Sequence, residues 1–132
     1  MSSLTAAIES TLSRWDCVRA AWLFGSTADG SSGPLSDVDV AVLGCAELSL
    51  DRLALLAAEL ERDCGRPVDV VVVERSSPVL AFEILSRGVR LSSRDPGAAD
   101  EWEDRALRRY LGTQALRRIV YEDVRADLSE KQ

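Results

Sequence analysis

Histidine is absent from the 132 residues. That excludes catalysis by a Ser/His or Cys/His pair and any zinc site built on histidine. Cysteine is scarce: Cys17, Cys45 and Cys64 are widely spaced and form no Cys-x-x-Cys pair, so small buried thiols in a reducing cytoplasm are expected. No signal peptide is expected and no long apolar run is present in the sequence, so a soluble, cytoplasmic protein with no membrane contact is expected. Positive charge is in deficit as well, with a net charge of −6 and an isoelectric point near 4.7. A general nucleic-acid binder carries a basic face, so no direct nucleic-acid partner is expected. The acidic balance instead suits a basic protein partner. Repeats and low-complexity linkers are also lacking. What remains, 132 residues of which 46% are hydrophobic, is enough for one compact domain with a core.

The most informative stretch runs from Phe24-Gly25-Ser26 to Ser36-Asp37-Val38-Asp39-Val40. Residues 18–24 read as a mostly buried strand that stops at Gly25. A glycine there lets the backbone turn sharply and lets a ligand come close. Ser26 offers a hydroxyl and a backbone N–H. A short helix beginning at Ser26 would present unpaired N–H groups to a phosphate. Ala28 and Gly30 keep the turn slim.

Residues 37–43 read as the next strand. Alternation along a strand puts Asp37 and Asp39 on one face, their backbones about 6.6 Å apart. At an effective dielectric near 20, two such charges repel by roughly 2.5 kcal/mol, less where water reaches them. A cation between them removes the penalty, and Mg²⁺ is the hard ion that takes carboxylates, waters and phosphates together. Residues 66–73 form a β-branched run that predicts a central strand, with Asp69 the only charge among its valines. If that strand pairs beside 37–43, Asp69 can reach the other two acids. Three carboxylates would hold two Mg²⁺, one on a nucleoside triphosphate and one on an incoming hydroxyl. In-line attack on the α-phosphorus would release pyrophosphate, a reaction that needs mostly positioning and charge neutralisation. Singly, each feature is a turn, a cap or a polar residue at a strand start. Together, with ten residues between Gly25-Ser26 and Asp37-x-Asp39, they describe a site.

Elsewhere, Leu4, Ile8, Leu12 and Trp15 predict a helix over 4–14. Ser49 caps a second helix with the stripe Leu53, Leu56, Ala57, Leu60 and Cys64, ended by Gly65 and Pro67. Ser77-Pro78 starts a third, which stops at Gly88, and 89–91 is a short edge strand. Asp95-Pro96 starts a fourth helix over 96–111, with Trp102, Ala106 and Tyr110 on one face. Gly112-Thr113 is expected to break it before a fifth helix with the stripe Leu116, Ile119, Val120, Val124 and Leu128. Trp22, Trp102, Tyr110 and Tyr121 are expected to pack rather than bind. The tail arginines Arg105, Arg108, Arg109, Arg117, Arg118 and Arg125 alternate with acids and read first as a solvated face with i,i+4 ion pairs, the alternative being a partner-docking surface or a reach across the cleft to the nucleotide. The fold class is α/β (α+β), a mixed sheet flanked by helices. Residues 1–92 form its core and residues 93–132 a C-terminal helical extension of the same domain.

Gly25, Ser26, Ala28, Gly30, Ser36, Asp37 and Asp39 match a known signature. The pattern Gly-Ser-x-Ala-x-Gly, a short loop, then Ser-Asp-x-Asp resembles the minimal nucleotidyltransferases of the polymerase-β-like superfamily. Asp69 falls where that family carries its third carboxylate. The stretches 82–88, 94–96 and 105–111 resemble the tail of the nucleotidyltransferase antitoxins encoded beside HEPN-domain RNase toxins. The resemblance implies the polymerase-β-like fold, ATP as donor, Mg²⁺ as cofactor, and AMP transfer to a tyrosine of a cognate HEPN toxin. It implies Asp37, Asp39 and Asp69 as the catalytic and metal-holding residues, with Gly25 and Ser26 at the nucleotide. The toxins' own RNase motif carries a histidine, so this chain is not the toxin. Asp29 stands where the family commonly has arginine. Two competing readings are an antitoxin that neutralises by docking alone and a small-molecule nucleotidyltransferase like the aminoglycoside-modifying enzymes. The short segment after the core speaks against the latter.

Overall fold

The computed structural model describes residues 3–29, 36–44 and 46–130. Gly30, Cys45 and the side chains of Asp29, Leu116, Arg117, Ile119, Val120, Tyr121, Val124, Arg125 and Leu128 lie outside the described residues. The elements run α1 (Ser3–Leu12), β1 (Ala20–Phe24), α2 (Ser26–Asp29), β2 (Val38–Leu43), α3 (Leu50–Cys64), β3 (Val68–Val72), a 3₁₀ turn (Val73–Arg75), α4 (Pro78–Arg87), β4 (Val89–Arg90) and α5 (Pro96–Glu130).

The four strands form one mixed sheet in the order β3-β2-β1-β4. β1 pairs antiparallel with both β2 and β4. β2 and β3 are parallel, which requires the crossover that α3 supplies. Period-2 alternation gives the sheet two apolar faces. Val38, Val40 and Val42 of β2 meet Ile8 and Leu12 of α1 and Leu56 and Leu60 of α3. Ala41 and Leu43, with Trp22 and Phe24 of β1, face the other way onto Ala81 and Ile84 of α4 and Ala98, Ala99, Trp102 and Ala106 of α5. The first half of α5 is therefore part of the core.

The helix signals act as read. Ser49 accepts from the Arg52 N–H at 3.2 Å. Gly65 ends α3 in the left-handed region at φ 68°, its N–H donating to Glu61 O, a conformation that suits glycine. Ser77 caps α4 by accepting from the Leu80 N–H, and the Asp95 carboxylate accepts from the Ala98 N–H at 3.0 Å to start α5. Trp22 and Trp102 pack against each other, ring centroids 4.8 Å apart, and Tyr110 stacks on Phe82 at 3.8 Å. Both contacts are packing, as expected.

Three expectations are corrected. β1 and β2 begin two residues and one residue later than residues 18 and 37, so Asp37 sits just outside the ladder. β3 is an edge strand, not a central one. Its valines are covered from above and below by the helical layers, and a β-branched run reads the same whether layers or strands bury it. Finally, α5 runs unbroken through Gly112-Thr113 to Glu130. A lone glycine costs a helix about 1 kcal/mol and ends it only with a cap or proline to follow.

Among the described residues no helix is long and apolar enough to cross a membrane. Cys17 and Cys64 are half-buried thiols, and burial pushes the Cys64 thiol up.

Candidate active site

The C-terminal end of β1 and the N-terminal ends of β2 and β3 meet at one end of the sheet. Phe24 is the cross-strand partner of Asp39, so the chain that turns at Gly25 does so directly over that acid. Gly25 has φ 73°, and a Cβ built there would lie 2.3 Å from Asp39 Oδ2. Only glycine meets both demands: a left-handed backbone and a carboxylate pressed against its α-carbon. The turn closes through the Ala28 N–H donating to Gly25 O at 3.1 Å. Ser26 opens α2 as expected and is half-buried.

Asp69 is the register partner of Asp39 across the parallel β2–β3 pair. Lateral partners in parallel strands point to the same face about 4.8 Å apart, so these two carboxylates stand side by side. They project on the α4/α5 side of the sheet, the side that Ala41 and Val71 also face. Asp37 precedes β2 and is exposed, as is Asp69, while Asp39 is half-buried. The Asp39 carboxyl is raised from its ordinary value, first by burial and then by the charges of Asp69, Asp37 and Glu83.

The charges of Asp37 and Asp69, both named from the sequence, thus reach Asp39. Among the described residues, no group of three or more acidic, histidine or cysteine side chains is arranged as a finished metal-holding set. The donor set nonetheless suits a hard divalent cation: all oxygen, no nitrogen or sulfur, and a half-buried acid whose negative charge is unfavourable where it stands.

Two residues of this region were not singled out by sequence reasoning. Glu83 lies on α4 and lines a cavity of about 430 Å³ with Val79, Phe82, Ser86, Arg87 and Tyr110. Its charge reaches Asp39, a pairing that only the packing of α4 on the sheet creates. Arg66 lies just before β3 and donates from Nε and Nη2 to the Ser36 carbonyl at 3.1 and 2.8 Å. Arg105 and Arg109 line a cavity of about 160 Å³ with Val73 and Glu74, beyond the end of β3 opposite to Asp69. Arg108 pairs with Asp104 at 3.1 Å across one turn, the solvated pair expected of it.

The chain is similar to known proteins. The family described as Polymerase beta, Nucleotidyltransferase matches residues 6–97. The chain is 32% identical over 113 residues to the protein adenylyltransferase MntA of Shewanella oneidensis, covering 83% of this chain and 78% of that protein. A solved toxin–antitoxin structure with AMP-PNP superposes with a TM-score of 0.78 at 26% identity, over 91% of this chain and 97% of the other. A complex of tri-AMPylated Shewanella oneidensis HEPN toxin with an MNT antitoxin gives a TM-score of 0.73 at 24% identity, over 92% and 95% of the two chains. At that identity the second likeness speaks for the fold alone.

Proposed function

The chain belongs to the polymerase-β nucleotidyltransferase family, and from that premise we propose that it is a protein adenylyltransferase serving as an antitoxin. The reaction moves AMP from ATP to a tyrosine of a cognate HEPN-type toxin. The observation that carries the reading is the seating of Asp39 against Gly25 with Asp69 beside it in register. The names of its relatives point the same way, to a protein adenylyltransferase and to a toxin–antitoxin assembly with an ATP analogue.

In this reading Asp37, Asp39 and Asp69 would hold Mg²⁺, and the Gly25-Ser26 turn would lie against the nucleotide. Mg²⁺, when bound, neutralises charge on the phosphates and lowers the pKa of the attacking hydroxyl. Asp69, itself exposed on the edge strand β3, would take the phenolic proton. The tyrosine oxygen bonds to the α-phosphorus, the bond from that phosphorus to its bridging oxygen breaks, and pyrophosphate leaves with the electron pair. Asp39, desolvated and crowded by like charges, would be relieved by a cation held among these acids.

The test is direct. The chain, ATP, Mg²⁺ and the product of the neighbouring gene are incubated, and both proteins are weighed intact. A gain of one or more AMP units on the partner is expected. No gain on either protein, from any nucleotide, while the partner is still neutralised, overturns the reading. Asp29, in the place of the family's usual arginine, favours a second one: neutralisation by docking alone. An Asp37→Ala/Asp39→Ala double variant that retains full antitoxin activity would establish it.

A further inference from the structure

Asp39 and Asp69 are fixed by the β2–β3 ladder, but Asp37 is not. It lies one residue before β2 and is exposed. The ladder's outermost rung here is the Val38 N–H donating to Pro67 O at 2.9 Å. Beyond that rung, the guanidinium of Arg66 grips the Ser36 carbonyl through two donors in a partly buried setting. Asp37 is therefore flanked on both sides by bonds to the same dipeptide: Ser36 to the side chain of Arg66, Val38 to the carbonyl of Pro67. Pro67 locks its own φ, and Arg66 presents a planar fork in place of a single swivelling ammonium. The chain after Pro67 is β3, which carries Asp69. The Arg66 fork thus ties the backbone that bears Asp37 to the strand that bears Asp69.

We propose that Arg66 is a positioning residue for Asp37, holding the Ser36–Asp37 backbone where that carboxylate can share a divalent cation with Asp39 and Asp69. The inference rests on the proposed role of these acids. A residue acting through a ligand's support typically costs tenfold to a hundredfold in metal affinity when removed. A residue that merely stapled the loop would lower the melting temperature and leave cation affinity alone.

Mn²⁺ binding to the full chain, read by electron paramagnetic resonance, separates these cases. Arg66→Ala is expected to weaken Mn²⁺ about tenfold or more. Arg66→Lys, which keeps the charge and stem but not the fork, should fall between wild type and Arg66→Ala. It also serves alone if the alanine variant does not fold. Combined with Asp37→Asn, the Arg66→Ala change should cost almost nothing further, since both act through one carboxylate. Unchanged Mn²⁺ affinity in folded Arg66→Ala and Arg66→Lys overturns this inference and leaves the proposed function standing. A wild type that binds no Mn²⁺ overturns both.

Discussion

Neutralising Asp39 should make the metal-free protein more stable while destroying its activity. In the structure this carboxylate is half-buried, pressed against Gly25 and beside Asp69 in register. Burial and the nearby acids both raise its pKa, so its ionised form is unfavourable in the folded state at neutral pH. With lateral partners about 5 Å apart, Coulomb's law gives about 3 kcal/mol at an effective dielectric of 20 and about 0.8 kcal/mol in water. Asp37 and Asp69 are exposed, which favours the lower figure, and relief of burial adds to it. A net gain of about 1–2 kcal/mol for Asp39→Asn follows once solvent screening is allowed for. For a chain of this size that is a rise of roughly 3–8 °C in melting temperature. The assay is thermal unfolding in chelator, then with Mg²⁺ and ATP. Ligand binding should stabilise the wild type by mass action and leave Asp39→Asn unmoved, reversing their order. If Asp39→Asn melts at or below wild type in chelator, the charge of Asp39 is not strained and the electrostatic argument fails.

Gly25→Ala would place a methyl group on the Asp39 carboxylate and force a left-handed alanine. It should cost about 1–2 kcal/mol of stability and, by displacing that acid, about a hundredfold in transfer rate; unfolding and label-transfer assays on one preparation check both. The Asp63 carboxylate accepts from the Thr11 hydroxyl at 2.5 Å and from Arg14 at 2.8 Å, and these bonds hold it well below the usual carboxylate range. A depressed folded-state pKa contributes stability present above the unfolded value, about 3.9, and lost as pH falls through the folded one. The advantage of wild type over Asp63→Asn in a denaturant series should therefore be full at pH 7 and shrink with added acid. Gly112→Ala should stabilise by about 0.5–1 kcal/mol, because α5 is continuous there and alanine is the better helix former; a helix that broke at this point would lose stability instead.

Most of the fold was legible because local signals and global packing agree. The caps at Ser49, Ser77 and Asp95 and the left-handed Gly65 are short-range chemistry, and each acts where the sequence puts it. The odd and even residues of β2 divide between the two cores as alternation requires. The misreadings have physical causes. A valine run cannot tell whether its cover is strands or helices, so it predicts a central strand where β3 is an edge. Gly112 carries a cost but no stop. At the candidate site, the spacing of Gly25-Ser26, Asp37 and Asp39 was visible, and so was the bare acid in the valine run of β3. That Asp69 lies in register with Asp39 depends on a pairing no local pattern encodes. Glu83 and Arg66 were not legible for the same reason. One joins the acids through helix packing and the other through a bond spanning thirty residues of sequence.

The most direct test of the account follows a phosphate. ATP labelled at its α-phosphate is offered to the chain and its partner protein with Mg²⁺, and in parallel to Asp39→Asn and to wild type in chelator. Label should appear on the partner only with wild type and Mg²⁺ together. Label that appears equally with Asp39→Asn would contradict the claim that these acids and the Gly25 turn form the reaction centre.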